Sequence, residues 1–174
     1  MFEDGRSRRV VFLSHCILNS NTRAQGLVTP ESLERSSRFL KALLDKGIGV
    51  VQMPCPELFF GLIRAPATKK EYGTQGFRDH CDKIAREVAR DISLYLSEGV
   101  NVLAVVGVEG SPSCGVQCTH VEPGKPASKG RGMFMESIER EFSESGVRVR
   151  LVGFPAKSSY GVLEDAVLEV LRSD

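Results

Sequence analysis

The sequence predicts an α/β protein, a three-layer α/β/α arrangement with a mostly parallel, Rossmann-like sheet, in one domain over residues 1–174. Three observations predict it. Four short apolar runs alternate with stretches of helical period, the strand–helix order that parallel sheets need. The run at 102–108 (Val-Leu-Ala-Val-Val-Gly-Val) has no polar interruption, as a strand buried on both faces requires. Finally, Cys16, Cys55 and Cys114 each follow one of the first three runs by a few residues. Parallel neighbours place their carboxyl ends on one rim, where open α/β sheets bind ligands, so the three sulfurs are expected to converge there.

Taken in order, the first strand covers residues 9–14 and runs into His15 and Cys16. A polar loop at 20–26 is rich in turn formers. Thr29-Pro30-Glu31 then starts a helix, with Thr as N-cap and Pro at the first helical position. Leu33, Leu40, Leu43 and Leu44 give this helix its apolar face, and Gly47 stops it. The second strand, 48–53, delivers Pro54-Cys55-Pro56-Glu57, in which two prolines hold Cys55 out of regular structure. A long loop to about residue 74 has the length of a lid or binding loop.

The helix over residues 75–98 buries Phe77, Cys81, Ile84, Val88, Ile92 and Leu96, which recur at three- and four-residue spacing. Cys81 is therefore a core residue. His80 beside it reads as a surface residue. The third strand, 102–108, opens into Gly110-Ser111-Pro112-Ser113-Cys114-Gly115, a small loop stiffened by Pro112 that presents two hydroxyls and a thiol. Beyond a Gly-, Pro- and Lys-rich loop, Met133, Phe134, Ile138 and Phe142 define a further helix, ended by Gly146. The strand at 147–152 carries alternating arginines and belongs nearer an edge. A last helix, 159–171, carries Val162, Leu163, Ala166, Val167, Val170 and Leu171.

Composition excludes several functions. A net charge of +1 leaves no electrostatic footprint for nucleic acid or an anionic membrane, and Arg6, Arg8 and Arg9 read as a solvated tail. No apolar run reaches membrane-spanning length, and residues 1–5 show no signal-peptide h-region. A cytoplasmic protein with reduced thiols is expected, as a monomer or homodimer. Five cysteines, an odd number, speak against a disulfide framework and for metal binding or catalysis.

Cys16, Cys55 and Cys114 lie too far apart in sequence for a zinc finger or ribbon, whose ligands come in close pairs. They suit a site assembled by the tertiary fold. Three sulfur ligands leave one position open on a zinc ion, or one iron of a cubane cluster without a protein ligand. Glu57 stands two residues past Cys55, in reach of a group bound at that metal, and is the candidate general base. Ser111, three before Cys114, is the candidate for orienting substrate or relaying a proton; Ser113, Asn19 and Arg23 are the other polar neighbours. Cys118 and His120 match no common zinc spacing and read as bystanders or outer groups.

In combination, Ser14-His15-Cys16-Ile17-Leu18, Pro54-Cys55-Pro56-Glu57 and Ser111-Pro112-Ser113-Cys114-Gly115 resemble the thiouracil desulfurase (desulfidase) family of small iron–sulfur proteins. Gly61-Leu62 with Arg64, and Gly130 with Gly132, are similar to further family segments, so the likeness runs through most of the chain in the family's order. The resemblance implies a [4Fe–4S] cluster on Cys16, Cys55 and Cys114, whose unique iron takes the sulfur of a small thiolated substrate. Water then replaces that sulfur, with Glu57 and Ser111 moving protons and handling substrate. Where family members continue the first motif with Gly and then Arg-Tyr-Asp-Gly, this chain has Asn19 and then Arg23-Ala24-Gln25-Gly26. The alternatives are a zinc hydrolase on the same three thiolates, a non-catalytic iron–sulfur sensing or binding module, and a sulfur-transfer enzyme with Cys114 as nucleophile.

Overall fold

A computed structural model describes residues 4–172; residues 1–3, part of the stretch read as lacking an h-region, and residues 173–174 lie outside it. In chain order its strands are Arg9–Leu13 (β1), Gly49–Gln52 (β2), Asn101–Val108 (β3), Cys118–Thr119 (β4), Ser128–Lys129 (β5) and Leu151–Phe154 (β6). Four of them form a parallel sheet in the order β2-β1-β3-β6, while β4 and β5 make a small antiparallel ladder of their own. The helices are His15–Leu18 (α1), Pro30–Leu44 (α2), Lys69–Tyr72 (α3), Gln75–Ser97 (α4), Met133–Ser145 (α5) and Leu163–Leu171 (α6). One helix pair is α2 with α6, which lies against β6; the other is α4 with α5, and α4 lies against β3. Right-handed crossovers explain this division. The chain steps one way from β1 to β2 and the other way from β2 to β3 and on to β6, so α2 and the α4–α5 pair cover opposite faces. The α/β/α expectation holds.

The reversal of direction between β1 and β3 creates a topological switch point, and the crevice lies outside the carboxyl ends of those two strands. Cys16 follows β1 and Cys114 follows β3. The site is thus placed by topology before any side chain is considered.

Local signals explain the elements, with some corrections. Thr29 caps α2 through a reciprocal pair: its Oγ1 accepts from Ser32 N at 3.1 Å, and Ser32 Oγ accepts from Thr29 N at 3.0 Å. The buried face of α2, however, is Ser32, Ser36, Phe39 and Leu43, and Leu33 and Leu44 are exposed. Phe39 packs on Phe154 with ring centroids 5.2 Å apart, and that contact fixes the rotation of the helix. In α4 the stripe from Phe77 to Ile92 is buried and includes Cys81, but Leu96 is exposed where the helix outruns the core. Likewise α5 buries Met133, Phe134, Ile138 and Phe142, while in the last helix Val162 is an exposed cap residue.

The last strand begins at Leu151 and not at 147, and it ends two residues later than the apolar run suggests. Its pairing with β3 starts at Val105–Leu151, which leaves Arg148 outside the ladder, while the Arg150 carbonyl accepts from Val105 N at 2.9 Å. It is an edge strand, as expected. The long loop after Cys55 is partly structured, with a 3₁₀ turn at Pro56–Phe60 and the one-turn helix α3. No helix among the described residues is long and apolar enough to cross a membrane.

Candidate functional site

Three strand ends build the site. Ser14 closes β1, and the single helical turn α1 carries Cys16, half-buried, back over the sheet rim. Cys55 caps the 3₁₀ turn Pro56–Phe60, where Pro56 takes the first position, so Glu57 is presented in that turn's first residues. After β3 the chain folds back on itself: Val108 N donates to Cys114 O at 2.8 Å, and Gly115 N to Ser111 O at 3.0 Å. This buries Cys114 at 7% exposure.

The Cys114 loop is pinned from two sides. A Cβ on Gly107 would overlap the Cys114 carbonyl, and one on Gly132 would overlap the Ser113 backbone, so both approaches require glycine. Gly132 is also the N-cap of α5 and offers no side-chain acceptor. Its place is taken by carbonyls of the loop: Pro112 O accepts from Met133 N, and Ser113 O from Phe134 N, each at 2.9 Å. Helix α5 therefore orients the loop, and the loop caps the helix.

The carboxylate of Glu57 is the hub. Its Oε1 accepts from Ser113 Oγ at 2.6 Å and from Ser111 Oγ at 3.4 Å. Its Oε2 accepts from Arg64 Nη2 at 2.8 Å, Arg64 Nε at 3.2 Å and Tyr72 Oη at 3.3 Å. Arg64 and Glu57 side chains are only 7% and 13% exposed, so this is a buried ion pair. Arg64 also donates to Thr22 O at 2.8 Å and Gly61 O at 3.3 Å, which ties the first loop to the second. Ser111 Oγ has a further duty, accepting from Cys114 N at 3.0 Å and so holding the turn that presents the thiol.

The three thiols feel one another. Burial pushes the Cys114 thiol well above its usual range, and Cys16, Cys55 and Glu57 add to the rise. Burial raises Cys55 to about 11, with Glu57 and Cys16 contributing. Burial raises Cys16 as well, opposed by the Arg23 guanidinium beside it. Three thiolates next to a carboxylate repel, so a cation bound among them would relieve the repulsion and release protons. Among the described residues no group of three or more His, Cys, Asp or Glu side chains is placed to hold a single metal ion. A zinc ion draws its sulfurs to about 2.3 Å. A polynuclear cluster, unlike one ion, does not need all three sulfurs on a single metal atom.

The remaining sequence candidates fall elsewhere. Asn19 accepts from Asn21 N at 3.2 Å and caps the 3₁₀ turn Ser20–Thr22. Cys118 and His120 belong to a separate group: Cys118 Sγ lies 3.4 Å from Glu109 Oε2, and His120 Nε2 lies 3.4 Å from Tyr160 Oη. His80 is not simply a surface residue. It is half-buried, its ring 5.2 Å from that of Phe59, and with His15, Cys55 and Lys83 it lines a cleft of about 470 Å³. Three buried polar residues carry no such role in the sequence reading: Arg64 and Tyr72 of the Glu57 network, and Glu109 of the Cys118 group. Arg64 alone had a signal, its position after Gly61-Leu62.

The family model described as "Putative 2-thiouracil desulfurase" matches residues 9–170, and so takes in all three cysteines, Glu57 and both serines. The chain belongs to this family. An uncharacterized protein of Methanocaldococcus jannaschii is 27% identical over 151 residues, covering 86% of this chain and 88% of that protein. Among solved structures, a [4Fe–4S]-dependent thiouracil desulfidase aligns with a TM-score of 0.50 and 22% identity, over 83% of this chain and 90% of that one. This last likeness is one of fold.

Proposed function

We propose that this desulfurase-family protein replaces the sulfur of a thiolated nucleobase, or of a similar small thio-compound, by oxygen from water, at a [4Fe–4S] cluster held by Cys16, Cys55 and Cys114. The observation that carries the reading is Glu57, a buried carboxylate shared between the hydroxyls of the Cys114 loop and the Arg64 guanidinium. Soft thiolate donors from three separate strand ends fit an iron–sulfur group. When bound, such a cluster supplies a thiophilic iron without a protein ligand, a Lewis acid for sulfur.

The chain's own groups would manage the protons. Arg64 and Tyr72 occupy Oε2 of Glu57 and hold the carboxylate in one orientation, leaving Oε1 to work on the serine side. Oε1 takes a proton from the attacking water, directly or through Ser113 Oγ, and returns it to the departing sulfur. Overall the thione carbon gains the water oxygen and sulfur leaves as hydrogen sulfide. Ser111 keeps Cys114 presented and lends a second hydroxyl.

Anaerobic reconstitution with iron and sulfide, followed by steady-state sulfide release from 2-thiouracil, tests the reading. Iron and acid-labile sulfide should bind to the wild type and be lost in Cys16→Ala, Cys55→Ala and Cys114→Ala. Full iron retained in all three variants would overturn the proposal. So would a reconstituted protein that releases no sulfide from any thione.

A further inference from the structure

Among the described residues three buried side-chain atoms lack a hydrogen-bond partner: Ser14 Oγ, Arg23 Nε and His120 Nδ1. Two of the three flank Cys16. A buried donor without an acceptor carries its full desolvation penalty, and native proteins rarely leave one so. Ser14 is 2% exposed, with its backbone already engaged: its N donates to Val106 O at 2.9 Å and its O accepts from Ile17 N at 3.0 Å. As N-cap of α1 its hydroxyl has a ready role, yet it makes no capping bond. The Arg23 guanidinium lies beside Cys16, and its Nη2 donates to Ser36 Oγ at 3.2 Å while Nε is left over.

We propose that Ser14 Oγ and Arg23 Nε donate hydrogen bonds to the sulfur-rich group held by Cys16, Cys55 and Cys114. The inference rests on the cluster reading above and assigns two residues outside it. A cluster with three thiolates is anionic, and its sulfurs are acceptors with no donors of their own. An alcohol and a guanidinium are the complementary partners: the first satisfies, the second satisfies and neutralises. Hydrogen bonds and net charge around a cluster set its reduction potential, because they stabilise the more negative, reduced form. Both are positioning residues.

The test compares reconstituted wild type, Ser14→Ala, Arg23→Gln, Arg23→Lys and Ser36→Ala by iron and acid-labile sulfide content and by anaerobic redox titration of the cluster. Ser14→Ala and Arg23→Gln should bind cluster with a midpoint potential shifted to more negative values. Arg23→Lys, which keeps the charge, should recover part of the shift. Ser36→Ala removes the acceptor of Arg23 Nη2 and leaves the Arg23 contact with Cys16 in place, so the potential should stay where it is. In the metal-free chain the sign reverses for Ser14→Ala, which should melt at a higher temperature than wild type because an unsatisfied hydroxyl is gone. Cluster-loaded Ser14→Ala and Arg23→Gln with wild-type potentials would overturn the inference; a buried water serving Ser14 would produce that result. If Arg23→Gln does not fold, Ser14→Ala and Arg23→Lys decide. A wild type that binds no iron sinks the cluster reading and this one together, whereas iron dependent on the three cysteines with unmoved potentials sinks this one alone.

Discussion

Replacing Arg64 by leucine is the sharpest test of how the site is held. In the native chain the guanidinium makes two hydrogen bonds to Glu57 Oε2, at 2.8 and 3.2 Å, and one each to Thr22 O and Gly61 O. Arg64→Leu leaves Oε2 with Tyr72 Oη alone, at 3.3 Å. The carboxylate is then charged, buried and without a counter-ion, a condition that costs about 3–5 kcal/mol. For a chain of this length each kcal/mol lowers the melting temperature by about 2–4 °C, so a drop on the order of 10 °C is expected.

Glu57→Gln removes the same pair from the other side and should also destabilise, though less, since the amide can still accept from Arg64. Once the carboxylate is neutral, Arg64→Leu has less to uncover. The double variant Glu57→Gln/Arg64→Leu should therefore lose less than the sum of the singles, with a coupling of about 1–3 kcal/mol. Urea unfolding of the metal-free proteins measures all four corners of the cycle. Additivity within about 0.5 kcal/mol would refute the reasoning, as would an Arg64→Leu loss below about 1 kcal/mol.

The other expectations concern neighbours of that pair. Ser113 Oγ is nearer Glu57 than Ser111 Oγ, 2.6 against 3.4 Å, so Ser113→Ala should slow sulfide release by about 10²-fold. Ser111→Ala should act mainly through iron content, because it frees the Cys114 amide; the opposite pattern in rates and iron would contradict the assignment. Gly107→Ala forces a Cβ into the Cys114 carbonyl and should destabilise by about 2 kcal/mol or more while lowering iron content, both readable on one preparation. Burial raises the Cys81 thiol from 9.0 to about 12. A thiol raised on folding stabilises below its unfolded value and loses that contribution as pH climbs toward the folded one, so wild-type stability should fall between pH 9 and 12. Cys81→Ala should flatten that slope, and an unchanged slope would show that the alkaline loss arises elsewhere.

The fold was legible because its evidence is local. Val102 to Val108 can only be a buried strand, and Thr29-Pro30 can hardly be other than a helix start. What failed to show was the rotation of elements about their own axes. Leucines mark a plausible face on α2, but the true face pairs Phe39 and Leu43 with Ser32 and Ser36. Small serines there let α2 approach the sheet, and a hydropathy pattern scores them as solvent-facing. The ladder of β6 was misplaced for a related reason: which residues pair is settled by β3, not by the apolar content of 147–152.

The site divides along the same line. Parallel topology forces every strand's carboxyl end to one rim, so the sequence alone puts three cysteines on that side of the sheet. No such rule governs who compensates Glu57. Arg64 reaches it only because the 3₁₀ turn Pro56–Phe60 and the bend at Gly61 carry the chain back across seven residues. Glu109 was harder still. A charged residue directly after a strand reads as solvated, yet it is 6% exposed and accepts from the amides of Gln117 and Cys118. Those donors exist only after the Cys114 loop has folded back, and a charge buried by a loop's return has no signature in composition or period. The same holds for the unpartnered hydroxyl of Ser14, which becomes conspicuous only when every neighbouring bond has been counted.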